Sequence, residues 1–283
     1  MIISCKDYFN ERINELAKNN YLGEFHIIQI NDEADSKIYV KNKIKDCGKI
    51  GLNVILHKFP VSIEPKSVES LIKSLNEDKK VIGIMIQLPI FNEFRYLLNL
   101  ISPEKDVDNL NHYLSGNFYS CCTPKGIIDY LKRNNIDLDG KDITIVGRSD
   151  IVGKPLAEMM TKENATVTLC HSHTRDLIKH TKNADIVVCA IGKPKFFTEE
   201  YFSPNQLVID VGINFLNGKL CGDVDEDRAN QVEGIKITGV PGGVGLLTRL
   251  ALLENCTEAS KRNFNFNDNE KIFHVGEYNR NVF

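Results

Sequence analysis

Ser36, Tyr39 and Lys43 fall at i, i+3 and i+7, so a helix through them would set a hydroxyl, a phenol and an amine along one stripe. That stripe borders an apolar face made by Val40, Ile44 and Cys47, and Gly51 would end the helix. An amine and a phenol beside a core can form a site wall, the amine carrying protons and the ring stacking on a flat ligand. The helix pattern alone fits an ordinary amphipathic helix with a snorkelling lysine better. Lys37, Lys41 and Lys45 run along the other side, and Lys45 points roughly 200° away from Lys43 on a regular helix. They read as a solvated face.

Two more segments carry groups suited to ligand binding. IQLPI puts Gln87 at the carboxyl end of an apolar strand, where α/β proteins gather ligand groups, and Leu88-Pro89 stops that strand. PEKDVDN places Asp106 and Asp108 in a loop whose alternating charges would, taken alone, be only solvated.

The second half opens on GRSDIVGKP, directly after the β-rich Ile143 to Val146 and before a helical pattern. A glycine turn between strand and helix aims backbone N–H groups and the positive helix end at one point, which suits a phosphate. Gly147 and Gly153 depart from the usual dinucleotide spacing, with Ser149 between them, and an ordinary βα turn fits the glycines equally well. The next strand, Thr166 to Cys170, ends in His171, Ser172, His173, Thr174 and Arg175. An NAD site usually has an Asp or Glu there, about 20 residues past the glycine turn, for the ribose 2′-OH. Asp176 comes late, whereas Arg148, Ser172 and Arg175 supply the cation and hydroxyl that a 2′-phosphate needs, which favours NADP over NAD.

The elements that must position these groups alternate as βαβ units. The first half reads as strands at Phe25–Ile30, Asn53–Phe59 and Val81–Gln87. The second reads as Ile143–Val146, Thr166–Cys170, Ile186–Ala190, Leu207–Val211 and a shorter strand near Ile235–Thr238. The expected fold is therefore α/β: two domains with parallel sheets, the second Rossmann-like, and a cleft between them. Thr123 is expected to cap, and Pro124 to open, a helix through Asn134 that links the two. Residues 1–123 would form the first domain, completed by a last helix from about Leu247 to Arg262 within 246–283, and residues 124–245 the nucleotide domain. The Asn-rich, charged tail from Asn263 receives no assignment.

At 283 residues the chain is long enough for two cores. A net charge of −3 gives no electrostatic footprint for nucleic acid or an anionic membrane. No apolar run reaches spanning length and no signal peptide opens the chain. The 8 cysteines include no CxxC pair, and with adjacent Cys121 and Cys122 they read as buried thiols in a reducing, cytoplasmic setting. The histidines lack ligand spacing, so no metal is expected.

Taken in order, SKIYVKNK, IQLPI, PEKDVDN, CTPKG, GRSDIVGKP, CHSHT, AIGKP, VIDVGIN, GDVD and VPGGVG resemble the methylenetetrahydrofolate dehydrogenase/methenyltetrahydrofolate cyclohydrolase family from about Glu24 to Asn255. The resemblance implies a folate cleft between the domains, tetrahydrofolate derivatives as ligands, NADP as cofactor, a homodimer, and a place in one-carbon metabolism that feeds purine biosynthesis. It implies that Lys43 is the catalytic amine, that Tyr39 stacks on the folate, that Gln87 hydrogen-bonds near the lysine and that Asp108 holds the pterin. Pro241, Gly242 and Gly243 would let backbone approach the folate, although a tight turn before the last helix accounts for each glycine separately. Gly147, Arg148 and Ser149 would serve the cofactor phosphates, Ser172 the 2′-phosphate and Ile213 the nicotinamide end. Hydride would leave the methylene carbon for the nicotinamide, and water would then add to the cationic methenyl carbon. That second step needs a proton carrier working near neutral pH, for which partial burial beside a cationic substrate would suit a lysine.

The chain departs from the family pattern at several points. Asn109 replaces the glycine after KDVD, and Leu246-Leu247 replaces Pro-Met after PGGVG. Gly239 stands where the pattern has the proline of ITP, Cys121 precedes CTP, and the usual Asp-Gly-Lys opening is missing. Asn tolerates the left-handed backbone a glycine would supply. Three other readings compete: a dehydrogenase with little cyclohydrolase activity, a folate- or nucleotide-binding protein without catalysis, and another NADP oxidoreductase acting on a small acid. Lys43 argues against the first; Tyr39, Lys43, Gln87 and Asp108 together argue against the second. The third has no account of YVKNK or KDVDN.

Overall fold

The computed structural model describes residues 1–31, 34–111 and 118–264, with backbone alone at 34 and 35. In chain order the elements are β1 (Ile2–Ile3), α1 (Lys6–Leu16), β2 (Glu24–Gln29), α2 (Ala34–Ile50), β3 (Asn53–Lys58), α3 (Pro65–Glu77), β4 (Val81–Ile86) and α4 (Cys122–Arg133). There follow β5 (Asp142–Val146), α5 (Gly153–Lys162), β6 (Thr166–Cys170), α6 (Leu177–Lys182), β7 (Ile186–Cys189), β8 (Leu207–Asp210), β9 (Asn214–Leu216), β10 (Lys219–Cys221), α7 (Glu226–Ala229), β11 (Lys236–Thr238) and α8 (Val244–Phe264). A 3₁₀ segment, Asn92–Leu100, follows β4. Among the described residues no helix is long and apolar enough to cross a membrane.

The fold is α/β with two parallel sheets. The first has strand order β3-β2-β4, and β4 is buried at every residue, as a strand covered on both faces must be. The second has order β1-β11-β8-β7-β5-β6. Its chain runs from β5 out to β6, then returns to β7 on the other side of β5. The turns after β5 and β7 therefore flank a topological switch point, where open α/β sheets take their ligands. Every predicted strand is present to within about a residue at either end. The sequence reading missed β1, which pairs with β11 in the second sheet, and the antiparallel β9–β10 hairpin.

The helix expected to begin at Thr123 starts earlier. Cys121 flanks it, Cys122 is its first residue, and the Thr123 hydroxyl lies 2.9 Å from that of Thr248 instead of capping the end. Likewise α8 starts at Val244, ahead of the expected Leu247, and contributes Leu250, Leu253, Cys256 and Ala259 to the first-domain core. The remainder of the expected 246–283 segment, beyond residue 264, lies outside the described residues. Helices α4 and α8 cross closely: a methyl group on Gly126 would stand 2.5 Å from the Leu247 carbonyl oxygen. Cys122 at the start of α4 packs in the first core and Ile127, Ile128 and Leu131 in the second, so one helix braces both walls of the cleft.

Candidate active site between the two domains

A cavity of about 560 Å³ separates the two sheets. Tyr39, Lys43, Gln87, Asp108 and Ile213 all line it, bringing five of the expected site residues to one space. Helix α2 presents Ser36, Tyr39 and Lys43 to the cavity as the i, i+3, i+7 stripe requires, while Lys45 is exposed. Gly51 ends that helix with φ of +80°.

The Lys43 amine is held from two sides. Its Nζ donates to Gln87 Oε1 at 3.1 Å and to Met85 Sδ at 3.2 Å. Gln87 follows β4, its backbone N–H bonded to Ile28 O and its Nε2 donating to Leu88 O at 2.6 Å, so the acceptor oxygen is left facing the lysine. The Leu88–Pro89 peptide is cis. With two hydrogens of Nζ directed at fixed acceptors, one position on the nitrogen remains for the cavity.

The PEKDVDN loop separates its two carboxylates by environment. Asp106 is buried, accepts the Asn109 N–H at 2.9 Å on Oδ1, and receives the backbone N–H groups of Leu110 and Asn111. Burial, and then the neighbouring Asp108, push its pKa up to about 7 against those bonds. Lys105 spends its ammonium hydrogens on the carbonyls of Leu75, Asn76 and Asp78 at the end of α3, at 2.7–2.8 Å, which suits a cation at a helix C-terminus. Val107 packs where Gly83 has no side chain: a methyl there would come within 2.7 Å of Val107 Cγ1. Asn109 adopts φ of +48°, the left-handed backbone expected of a glycine substitute. Asp106 and Lys105 thus shape the loop, and Asp108 lines the cavity.

Pro241, Gly242 and Gly243 line a smaller adjoining space of about 170 Å³, which shares Tyr39 and Ile213 with the larger one. Gly242 has φ of +109°, and a methyl on Gly243 would stand 2.5 Å from Gly239 O, so the approach and the tight turn are the same feature.

Gly147, Arg148, Ser149 and Ser172 lie apart from these spaces, at the carboxyl ends of β5 and β6. Gly147 has φ of +127°, and a methyl there would run into the Ala190 carbonyl oxygen; one on Gly153 would run into the Gly147 oxygen. The turn is a backbone cradle that a side chain would fill. Ser149 Oγ accepts the N–H groups of Val152 at 3.2 Å and Gly153 at 3.4 Å, bonding the first amides of α5. Arg148 and Ser172 are exposed. Desolvation, followed by the Arg148 charge and then His173, pulls the His171 pKa below its usual value, which puts that guanidinium near the end of β6. Asp176 caps α6, its side chain accepting the Lys179 N–H. The first acid after β6 is therefore committed to a helix end, and the exposed groups are a cation and a hydroxyl: these residues fit a 2′-phosphorylated dinucleotide.

Some contributors received no role from the sequence, even where they lie inside a quoted motif. Ile151 and Val152 carry the glycine turn into the large cavity, and Thr248 and Arg249 of α8 close its wall. Arg249 pairs with buried Asp46 at 2.7 Å, one helical turn beyond Lys43, and an i+3 acid following the Lys43 stripe was the only trace of that pair in the sequence. Phe215 reaches both spaces from β9, an element the sequence reading lacked.

Comparison with known proteins agrees with this geometry. Residues 3–108 match the family model described as tetrahydrofolate dehydrogenase/cyclohydrolase, catalytic domain, and residues 121–264 match its NAD(P)-binding domain. The bifunctional protein FolD of Agathobacter rectalis is 44% identical over 91% of this chain and 95% of its own length; that of Bacillus subtilis is 40% identical over 91% and 94%. Among solved structures, the bifunctional methylenetetrahydrofolate dehydrogenase/cyclohydrolase of Campylobacter jejuni superposes with a TM-score of 0.87 at 34% identity, covering 93% of this chain and 99% of that one. The Trypanosoma brucei enzyme, solved with NADP cofactor and inhibitor, gives 0.84 at 30% identity over 93% and 97%. With both domain models matched in order and relatives covered almost end to end, the chain belongs to the tetrahydrofolate dehydrogenase/cyclohydrolase family.

Proposed function

We propose that this chain oxidises 5,10-methylenetetrahydrofolate to the 5,10-methenyl form with NADP as acceptor, then adds water to the same carbon to give 10-formyltetrahydrofolate, both in the large cavity. The observation that carries this reading is the Lys43 amine, fastened to Gln87 and Met85, in one space with Tyr39, Asp108 and Ile213.

In this reading residues 1–123 with the last helix bind folate and residues 124–245 bind NADP, a division supported by the packing of α8 from Leu250 onward on the first core. The extreme N-terminus departs from it, since β1 joins the second sheet and Cys5, like Val244 and Leu247 at the start of α8, packs in the second core. Asp108 accepts from the amino and ring N–H edge of the pterin. Tyr39 covers the adjoining ring face, and Pro241, Gly242 and Gly243 admit the ligand by their lack of bulk. Lys43 carries the proton during water addition, with Gln87 holding it in reach. Gly147 leaves room for phosphate beside the helix end, Ser149 sits over the first amides of α5 and offers its hydroxyl there, Arg148 and Ser172 meet the 2′-phosphate, and Ile213 bounds the nicotinamide end. NADP, when bound, supplies the hydride acceptor. The family resemblance supports a homodimer, and eight free thiols support a reducing, cytoplasmic setting.

Incubation with 5,10-methylenetetrahydrofolate and either NADP or NAD tests the proposal, following reduced cofactor, the methenyl chromophore and 10-formyl product separately. NADP reduction with 10-formyl product is expected. Reduction that stops at methenyl would leave a dehydrogenase alone, and binding without turnover would leave a non-catalytic homologue.

A further inference from the structure

Two buried carboxylates with no role assigned so far, one of them, Asp210, bordering the smaller cleft space, tie together the loops at the end of the cofactor cleft. Asp210 and Asp223 are each 0% exposed. They are linked directly, the Asp223 N–H donating to Asp210 Oδ1 at 2.9 Å. Asp223 accepts the backbone N–H groups of Ile191, Gly192 and Lys193 at 2.6, 2.9 and 2.8 Å and the Asn214 side-chain amide at 2.9 Å. Besides the Asp223 N–H, Asp210 accepts those of Gly212 and Val224, both at 2.9 Å.

Burying two neighbouring acids is costly unless hydrogen bonds compensate. Burial pushes the Asp210 pKa up to about 7 even against three N–H bonds. What the arrangement achieves is convergence. Residues 191–193 follow β7, residues 212–214 follow β8 and residues 222–224 follow β10, and only an acceptor with several lone pairs can draw all three to one point. The first of these loops continues from Ala190, whose carbonyl faces Gly147 across the switch point. The second carries Ile213 between two tethered residues and into both cleft spaces.

We infer that Asp223, backed by Asp210, is a positioning residue for the dehydrogenase step: it fixes the loops at the nicotinamide end and the direction of Ile213, and takes no part in water addition. The inference rests on the function proposed above, because it assigns the second domain to hydride acceptance.

Asp223→Asn isolates the effect. The amide keeps the shape but offers one acceptor and one donor. In either orientation its NH₂ confronts two N–H groups, those of Ile191 and Gly192 or those of Lys193 and Asn214. The dehydrogenase rate should fall about 10²-fold, the scale of a 1 Å misplacement. NADP should bind more weakly by calorimetry. In the cofactor-free protein, hydrogen exchange at the amides of Ile191 to Lys193 should accelerate. Cyclohydrolase activity, measured on methenyltetrahydrofolate without cofactor, should stay within about twofold. Asn214→Ala leaves both carboxylates in place and should give a milder loss confined to the dehydrogenase. Both activities falling in the same proportion in the two variants would reduce the clasp to a general stabiliser and overturn the inference. So would full dehydrogenase activity with unchanged amide exchange. Lack of both activities in the unaltered protein would instead defeat the functional reading, and amide exchange with NADP titration would still decide the role of Asp223.

Discussion

The two walls of the cleft are built on opposite plans. In the first domain the working groups are side chains held by other side chains: Lys43 by Gln87 and Met85, and Asp108 by a loop that Asp106 and Lys105 fasten from within. In the second, the glycine turn is shaped by backbone where side chains are missing, and Arg148 and Ser172 stand exposed. The first plan fixes reacting groups before the ligand arrives, which suits proton transfer. The second leaves room and an oriented helix end, which suits a large anion. Adding atoms should therefore harm the second wall most, and removing functional groups should harm the first.

Gly147→Ala is the severest test of that contrast. The new methyl would collide with Ala190 O in a backbone conformation that L residues rarely adopt. Dehydrogenase activity and NADP binding should fall at least about 10²-fold, with cyclohydrolase activity on added methenyltetrahydrofolate largely kept. Loss of both together would show that the turn also shapes the folate wall.

Next in size is the carboxylate pair. Asp108→Asn removes a charged acceptor from the cavity and should weaken folate about 10- to 100-fold, with NADP binding unchanged. Asp106→Asn should weaken folate less and lower thermal stability more, because its oxygens serve the loop's own N–H groups. Folate titrations and melting curves of the two variants decide between them; a larger folate effect from Asp106 would exchange the assigned roles. The smallest effect belongs to the exposed groups. Arg148→Ala with Ser172→Ala should reduce the preference for NADP over NAD roughly tenfold through NADP affinity alone. Equal weakening of both cofactors would place these residues away from the 2′-phosphate.

The same division explains what could be read from sequence. Strands and their order were legible because βαβ alternation repeats over short distances, and the Lys43 stripe was legible because helical phase is local. β1 was missed because its two residues show no period; its place depends on pairing with β11 more than two hundred residues away. The helix start at Cys122 was misplaced because Thr123 and Pro124 make a good local signal that packing against Thr248 overrides. Asp106 and Asp108 could be told apart only through the family pattern, since both sit in one charged loop. Asp223, the first acid of GDVD, received no role from the sequence, because its partners come from loops some ten to thirty residues away.

The central claim is that one cleft carries two separable steps and that Lys43 serves the second. Hydride transfer removes no proton from the folate and depends chiefly on how the two rings are oriented, whereas water addition needs a positioned proton carrier, worth roughly 10²- to 10⁴-fold. Lys43→Met keeps much of the apolar stem and deletes the amine. In the coupled assay with 5,10-methylenetetrahydrofolate and NADP, this variant should reduce cofactor at a partly retained rate while methenyl product accumulates and 10-formyl product nearly disappears. Lys45→Met, on the exposed face, should match the unaltered protein in both steps. Normal 10-formyl production by the Lys43 variant, or its loss only in the Lys45 variant, would contradict the account.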